Sequence, residues 1–163
     1  MNKQSVAIKR LIIFFMAALV VSGLTAMPAE GELAFLSRCF APDTMIGGWI
    51  EKVYTGVADT NNKYPFIAYG YDWLAFAHFV LAILLIGPLR DPVKNKWVIE
   101  FSMIACVLVI PFAFAAGHYR GIPLWWRLID CSFGIIGLIP LAICLRNINR
   151  LEQLSEKEAE YEN

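Results

Sequence analysis

Two histidines, one arginine and one aspartate are the residues of this chain whose types and positions could do chemistry. They are His78, His118, Arg127 and Asp130, and each lies in or beside a long apolar run. A charged side chain at the centre of a membrane-spanning helix costs about 2.5–3.5 kcal/mol on the insertion scale, so a residue placed there needs a reason. Imidazole and carboxylate groups can bind ions, ligate metals or exchange protons.

The spacing of these four residues predicts that they lie at similar depth. If both runs are helical, His78 lies five residues or about 7.5 Å beyond Trp73, and Asp130 lies six residues or about 9 Å beyond Leu124. His118 ends a third run at the same face, and Arg127 precedes Asp130 by three residues. We therefore expect one polar pocket, open to the outer side and built from these four side chains.

Two interpretations of this cluster remain open. In the structural one, Asp130 pairs with Arg127, and His78 donates a hydrogen bond to Asp130 or to a carbonyl. In the functional one, the pocket binds an ion, a headgroup or a cofactor. The sequence favours the absence of a resident cofactor. Haem could still be ligated by His78 and His118. A metal ion could be ligated by His78, His118 and Asp130, which are weak candidates.

Sequence motifs of common enzyme classes are missing. The chain contains no GxGxxG, P-loop, HExxH or GxSxG pattern. Hydrolytic and nucleotide-driven chemistry therefore lacks support, and we expect the protein not to be an enzyme.

Four apolar runs must position these residues. They span residues 11–27, 73–89, 97–117 and 122–145. Each is close to the roughly 20 residues that a helix needs to cross a bilayer. Only 17% of the residues are charged and 58% are hydrophobic, whereas about 25% charged residues are typical of a soluble domain. The pattern predicts an all-α polytopic membrane protein, a four-helix transmembrane bundle.

The charges predict its orientation. Basic residues are more frequent in the segments that would face the cytoplasm if the amino terminus is inside, and the short loop 90–96 is the clearest case. We expect both termini to be cytoplasmic, in a bacterial inner membrane. We expect residues 1–26 to stay uncleaved and residues 11–27 to form the first transmembrane helix. Residues 1–145 are predicted to form one membrane domain, and residues 146–163 a charged helical tail in the cytoplasm.

The outer segment, residues 28–72, is the largest piece between the runs. Asp43 and Thr44 could cap a helix, and apolar residues then recur at spacings of three and four over residues 46–57. This predicts an amphipathic helical cap on the outer side. Residues 59–63 read as a turn, and Asp72 as the N-cap of the second membrane helix.

Small residues and cysteines predict further contacts. Gly134 and Gly137 share a face with Asp130, and small residues around Cys106 form a stripe on the preceding run, so these faces are expected to meet. A disulfide between Cys39 and Cys131 is left open. Glu100 is expected to reach toward Lys96 or the loop that precedes it.

The sequence indicates a function only coarsely. The chain has 14 acidic and 14 basic residues, so its net charge is zero and no overall positive potential would attract nucleic acid. The leading hypothesis is a non-enzymatic accessory or structural component of a membrane assembly, with a protein partner at residues 28–72 or 146–163. A ligand-, metal- or haem-binding redox protein and a small transporter or proton-conducting subunit are the alternatives. A homo-oligomer is also open.

Overall fold

The computed structural model describes residues 3–161. At positions 3, 156 and 158–161 it describes the backbone and not the side chain. The described chain is all helical, as predicted. A 3₁₀ turn, Pro65–Ala68, precedes α4, and the helices are α1 (Lys3–Ala26), α2 (Ala29–Cys39), α3 (Met45–Lys63), α4 (Tyr69–Leu84), α5 (Ile86–Arg90), α6 (Lys96–Tyr119) and α7 (Leu124–Tyr161).

Four helical segments in the described chain are long and apolar enough to cross a membrane, which confirms the predicted number. They are Gln4–Ala26, Pro65–Arg90, Lys96–Tyr119 and Leu124–Ser155. Three of them begin before the apolar runs identified in the sequence, because helical hydrogen bonding continues into the polar flanks. The fourth continues past its run, so the residues described in the predicted tail are helical, as expected; residues 162–163 lie outside the described chain.

Helices α6 and α7 form an antiparallel pair whose contact depends on two glycines. A Cβ on Gly134 would collide with the carbonyl oxygen of Cys106, and one on Gly137 would lie 3.1 Å from the Cys106 Sγ atom and 3.4 Å from the Phe15 ring. The backbones approach closely because these positions carry no side chain, which is how membrane helices commonly pack. The predicted contact between the two small-residue faces is confirmed at Cys106.

The chain forms two compact units, and this pair belongs to the first, Met1–Ala17 with Ile83–Asn163. The deepest side chains of this unit lie near the beginnings of α1 and α6 and on α7 beyond the glycines. Ile8, Ile99 and Ile148 are 0% exposed. Close by in sequence, Lys96 Nζ donates to Glu152 Oε2 at 3.0 Å. Apolar packing is therefore tightest at the end of the helix pair that carries this ion pair.

The second unit, Ala18–Ala82, contains α2 and α3. Thr44 caps α3 as predicted, since its hydroxyl oxygen accepts from the Gly47 amide at 3.0 Å. Gly47 is required there, because a Cβ would collide with the Ala41 carbonyl. Asn61 Nδ2 donates to Glu30 Oε2 at 2.6 Å and so joins the two helices.

Three local predictions in this unit were incomplete or wrong. Residues 59–63 do not form a turn; α3 continues through them to Lys63, because the Asn61 contact with Glu30 and a bond from the Thr60 hydroxyl to the Gly56 carbonyl satisfy their side chains inside the helix. Asp72 is not an N-cap but lies in the first turn of α4, which follows the 3₁₀ turn. Helix α2 had not been predicted.

The four cysteines are all free. Cys39 is exposed, whereas Cys106, Cys131 and Cys144 are buried and behave as small apolar side chains. The disulfide that the sequence left open between Cys39 and Cys131 is not formed.

Candidate functional site

The turn between α6 and α7 is built around a glycine in the left-handed region. Gly121 has φ +67°, its amide donates to the His118 carbonyl at 3.2 Å, and the Ile122 amide donates to the Gly117 carbonyl at 2.8 Å. This pair of bonds is the Schellman motif, which commonly ends a helix at a glycine. The motif fixes His118 in the last turn of α6 and directs the chain back into α7.

Arg127 fastens this turn. Its Nε donates to the Ile122 carbonyl at 2.7 Å. Its aliphatic stem lies against Gly117, where a Cβ would be only 2.7 Å from the Arg127 Cδ atom. The guanidinium group is therefore held by the backbone that precedes α7.

The predicted ion pair between Arg127 and Asp130 is not formed. The described chain contains two ion pairs, Lys94 with Asp91 and Lys96 with Glu152. The reason is geometric, since Arg127 points back toward the turn and binds its carbonyl. Asp130 is half-buried and makes no hydrogen bond or ion pair with any described residue.

The two histidines have different environments. His78, on α4 in the second unit, places Nδ1 2.8 Å from the Leu74 carbonyl. This is the carbonyl partner that the structural interpretation allowed, and it comes from the preceding turn of the same helix. His118 is exposed, and its imidazole has no hydrogen-bond partner in the described chain.

No group of three or more His, Cys, Asp and Glu residues that could hold a metal ion occurs among the described residues. The weak metal candidates His78, His118 and Asp130 are thus not such a group. Haem ligation by the two histidines is untested and stays a prediction. Of the four predicted pocket residues, the structure gives Arg127 a clear role, and that role is to stabilise the turn.

The partner of Lys96 could not be predicted from the sequence. Glu152, on α7, takes the place expected for Glu100, which is exposed and has no partner among the described residues. Both members of the pair are about one third exposed, with side-chain exposures of 30% and 34%. Glu152 is 56 residues away in the chain, so only the packing of α6 on α7 reveals the pair.

Two grooves in the second unit were also not predicted. One, of about 450 Å³, runs along α2 and is lined by Pro28, Gly31, Glu32, Phe35 and Leu36. The other, of about 240 Å³, lies at the beginning of α4 and is lined by Tyr69, Asp72, Trp73 and Phe76. The available signal was helical spacing, since each set recurs at intervals of three and four residues.

No protein-family model, curated protein or solved structure matches this chain. The described residues form an all-helical structure with four helical segments of membrane-spanning length and apolarity.

Proposed function

We propose that this chain is an integral membrane protein that acts as a non-enzymatic accessory component of a membrane assembly and docks a partner helix on α2. Both termini face the cytoplasm of a bacterial inner membrane, and residues 28–72 lie outside. Insertion is supported by large apolar side chains on the surfaces of the long helices. Phe112, for example, is 72% exposed and Ile136 63%. In water such surfaces would be unfavourable by about 25 cal/mol per Å².

The orientation rests on the charges that flank α5 and α6. Arg90 ends α5, Lys94 lies in the short connection that follows, and Lys96 begins α6. A compact basic connection is retained on the cytoplasmic side during insertion. Two spans precede it, so the amino terminus is on the same side.

The docking surface is the groove along α2, and Gly31 is the observation that carries this proposal. A Cβ built on Gly31 meets nothing within 4 Å. Glycine inside a helix costs roughly 0.5–1 kcal/mol relative to alanine, and the packing of this chain does not require it there. A partner that approaches the helix backbone closely would use this gap.

The side chain beside that gap is apolar. Phe35 is 66% exposed and lines the groove with Pro28 and Leu36, while Glu32 adds one charge. Exposed apolar patches rimmed by polar residues are typical of interaction surfaces. A helix with one aliphatic or aromatic ridge fits such a groove.

A photo-reactive phenylalanine analogue at position 35 tests this proposal in native membranes. We expect one protein adduct of discrete mass from position 35. Phe66 is 73% exposed and lies outside the groove, so the same analogue at position 66 is the matched control and should not give that adduct.

A substitution that fills the groove separates docking from chance proximity. Gly31→Leu should remove the adduct, whereas Gly56→Leu should not, because Gly56 is an equally open helical glycine outside the groove. An adduct that survives Gly31→Leu, or a product of lipid alone, would contradict the proposal. A product with twice the mass of the chain would replace the separate partner with a second copy.

A further inference from the structure

The first two turns of α4 carry an aromatic groove that contains one carboxylate. Tyr69, Trp73 and Phe76 line it at helical spacings of four and three, together with Asp72. The rings of Tyr69 and Trp73 are 5.9 Å apart and nearly perpendicular, and those of Trp73 and Phe76 are 5.5 Å apart with an interplanar angle of 87°. Trp73 is thus the central ring of an edge-to-face row.

This groove combines the two features that hold an alkylammonium group. Aromatic ring faces attract a cation whose charge is shielded by carbon, and a carboxylate supplies the opposite charge. A purely apolar ligand would not need Asp72, and an anionic ligand would be repelled by it.

No described Lys or Arg side chain makes a cation–π contact with the rings of this groove. The cation–π contacts in the described chain are Lys52 over Trp49 and Arg120 over Tyr119. Asp72 is exposed and has no hydrogen bond or ion pair with a described residue. The carboxylate is therefore available to an external cation, and the neighbouring Trp73 side chain is 55% exposed.

We propose that this groove binds the ammonium headgroup of a zwitterionic phospholipid in the outer leaflet. The segment Pro65–Arg90 is one of the four of membrane-spanning length, and the groove lies near its beginning, at the level where headgroups meet the helix. Aromatic side chains are common at that level. The carboxylate among them gives this groove a preference for a cationic headgroup. The inference rests on the proposed membrane insertion, but not on partner docking at α2.

Lipid retention measures this preference directly. The full chain is reconstituted in nanodiscs that contain equal amounts of phosphatidylethanolamine and phosphatidylglycerol, and the lipids that remain bound are counted by native mass spectrometry. We expect phosphatidylethanolamine to be retained in excess. Asp72→Asn and Trp73→Leu should each reduce that excess by roughly threefold or more.

Trp97→Leu is the matched control. Trp97 is 56% exposed and Trp73 55%, but Trp97 lies outside the groove, so this variant should retain lipid like the unmodified protein. Equal retention of the two lipids, an excess of phosphatidylglycerol, or unchanged retention in both groove variants would overturn the headgroup site. Failure of the unmodified protein to enter nanodiscs would instead contradict the membrane assignment itself.

Discussion

Arg127 on α7 donates a 2.7 Å hydrogen bond from Nε to the carbonyl oxygen of Ile122, five residues earlier in the chain. The bond joins the first turns of α7 to the residue that completes the end of α6. It explains why a basic side chain occurs at this end of an apolar helix. It also separates Arg127 from Asp130, with which the sequence had paired it.

Removing this bond should destabilise the hairpin. Arg127→Ala is expected to lower the free energy of unfolding by about 1.5–3 kcal/mol, the range for a hydrogen bond made by a charged group. Chemical unfolding in detergent micelles measures the change. Arg120→Ala is the control, because the Arg120 side chain lies over the exposed ring of Tyr119 and makes no hydrogen bond or ion pair with a described residue. Equal losses in the two variants would argue against the role of Arg127.

Asp130 should behave differently from a paired carboxylate. It has no partner among the described residues although it is half-buried, so Asp130→Asn removes a charge without breaking a contact. We expect stability in micelles to stay the same or to rise. A loss of about 1 kcal/mol or more, the size of a typical hydrogen bond, would show that Asp130 has a partner that this structure does not contain.

The contact of Gly134 with Cys106 predicts a steric cost. Gly134→Ala places a methyl group against the Cys106 carbonyl, and overpacking of this kind typically costs about 1–3 kcal/mol. Gly56→Ala is the matched control, since nothing lies within 4 Å of its Cβ position, and the substitution should stabilise the protein by about 0.4–1 kcal/mol. Thermal unfolding of both variants in one detergent compares them. Stability changes of the same sign in the two variants would contradict the packing described for α6 and α7.

The ion pair between Lys96 and Glu152 should contribute little and should depend on salt. Both side chains are about one third exposed, at 30% and 34%, and pairs of this kind typically contribute about 0.2–1 kcal/mol. A double-mutant cycle with Lys96→Met and Glu152→Gln, measured at low and high salt, isolates the coupling. Coupling that is absent at low salt would mean that the pair does not form in solution.

The sequence predicted what depends on local pattern. Apolar runs predicted four helical segments of membrane-spanning length, Thr44 predicted the start of α3, and glycine spacing predicted the face of α7 that packs on α6. These features follow from residues that are neighbours in the chain, because periodicity and capping act within one or two turns.

It failed where distant residues decide the outcome. Asn61 remains helical because Glu30 binds it, and Lys96 turns to Glu152 instead of Glu100. The expected ion pair between Arg127 and Asp130 is absent from the described chain for another reason. Asp130 lies three residues from Arg127, but Arg127 binds the carbonyl of Ile122, which follows the turn at Gly121. Helical spacing permits a pair without requiring it.

Cys39 offers the most direct test of the membrane account. It is the exposed one of the four cysteines and lies in residues 28–72, whereas the other three are buried. In intact bacterial spheroplasts a membrane-impermeant maleimide should label the protein from outside, and Cys39→Ser should abolish the labelling. The chain should also resist extraction by alkaline carbonate. Labelling that appears only after the membrane is opened would place this segment inside, and release into plain buffer would contradict the four membrane spans.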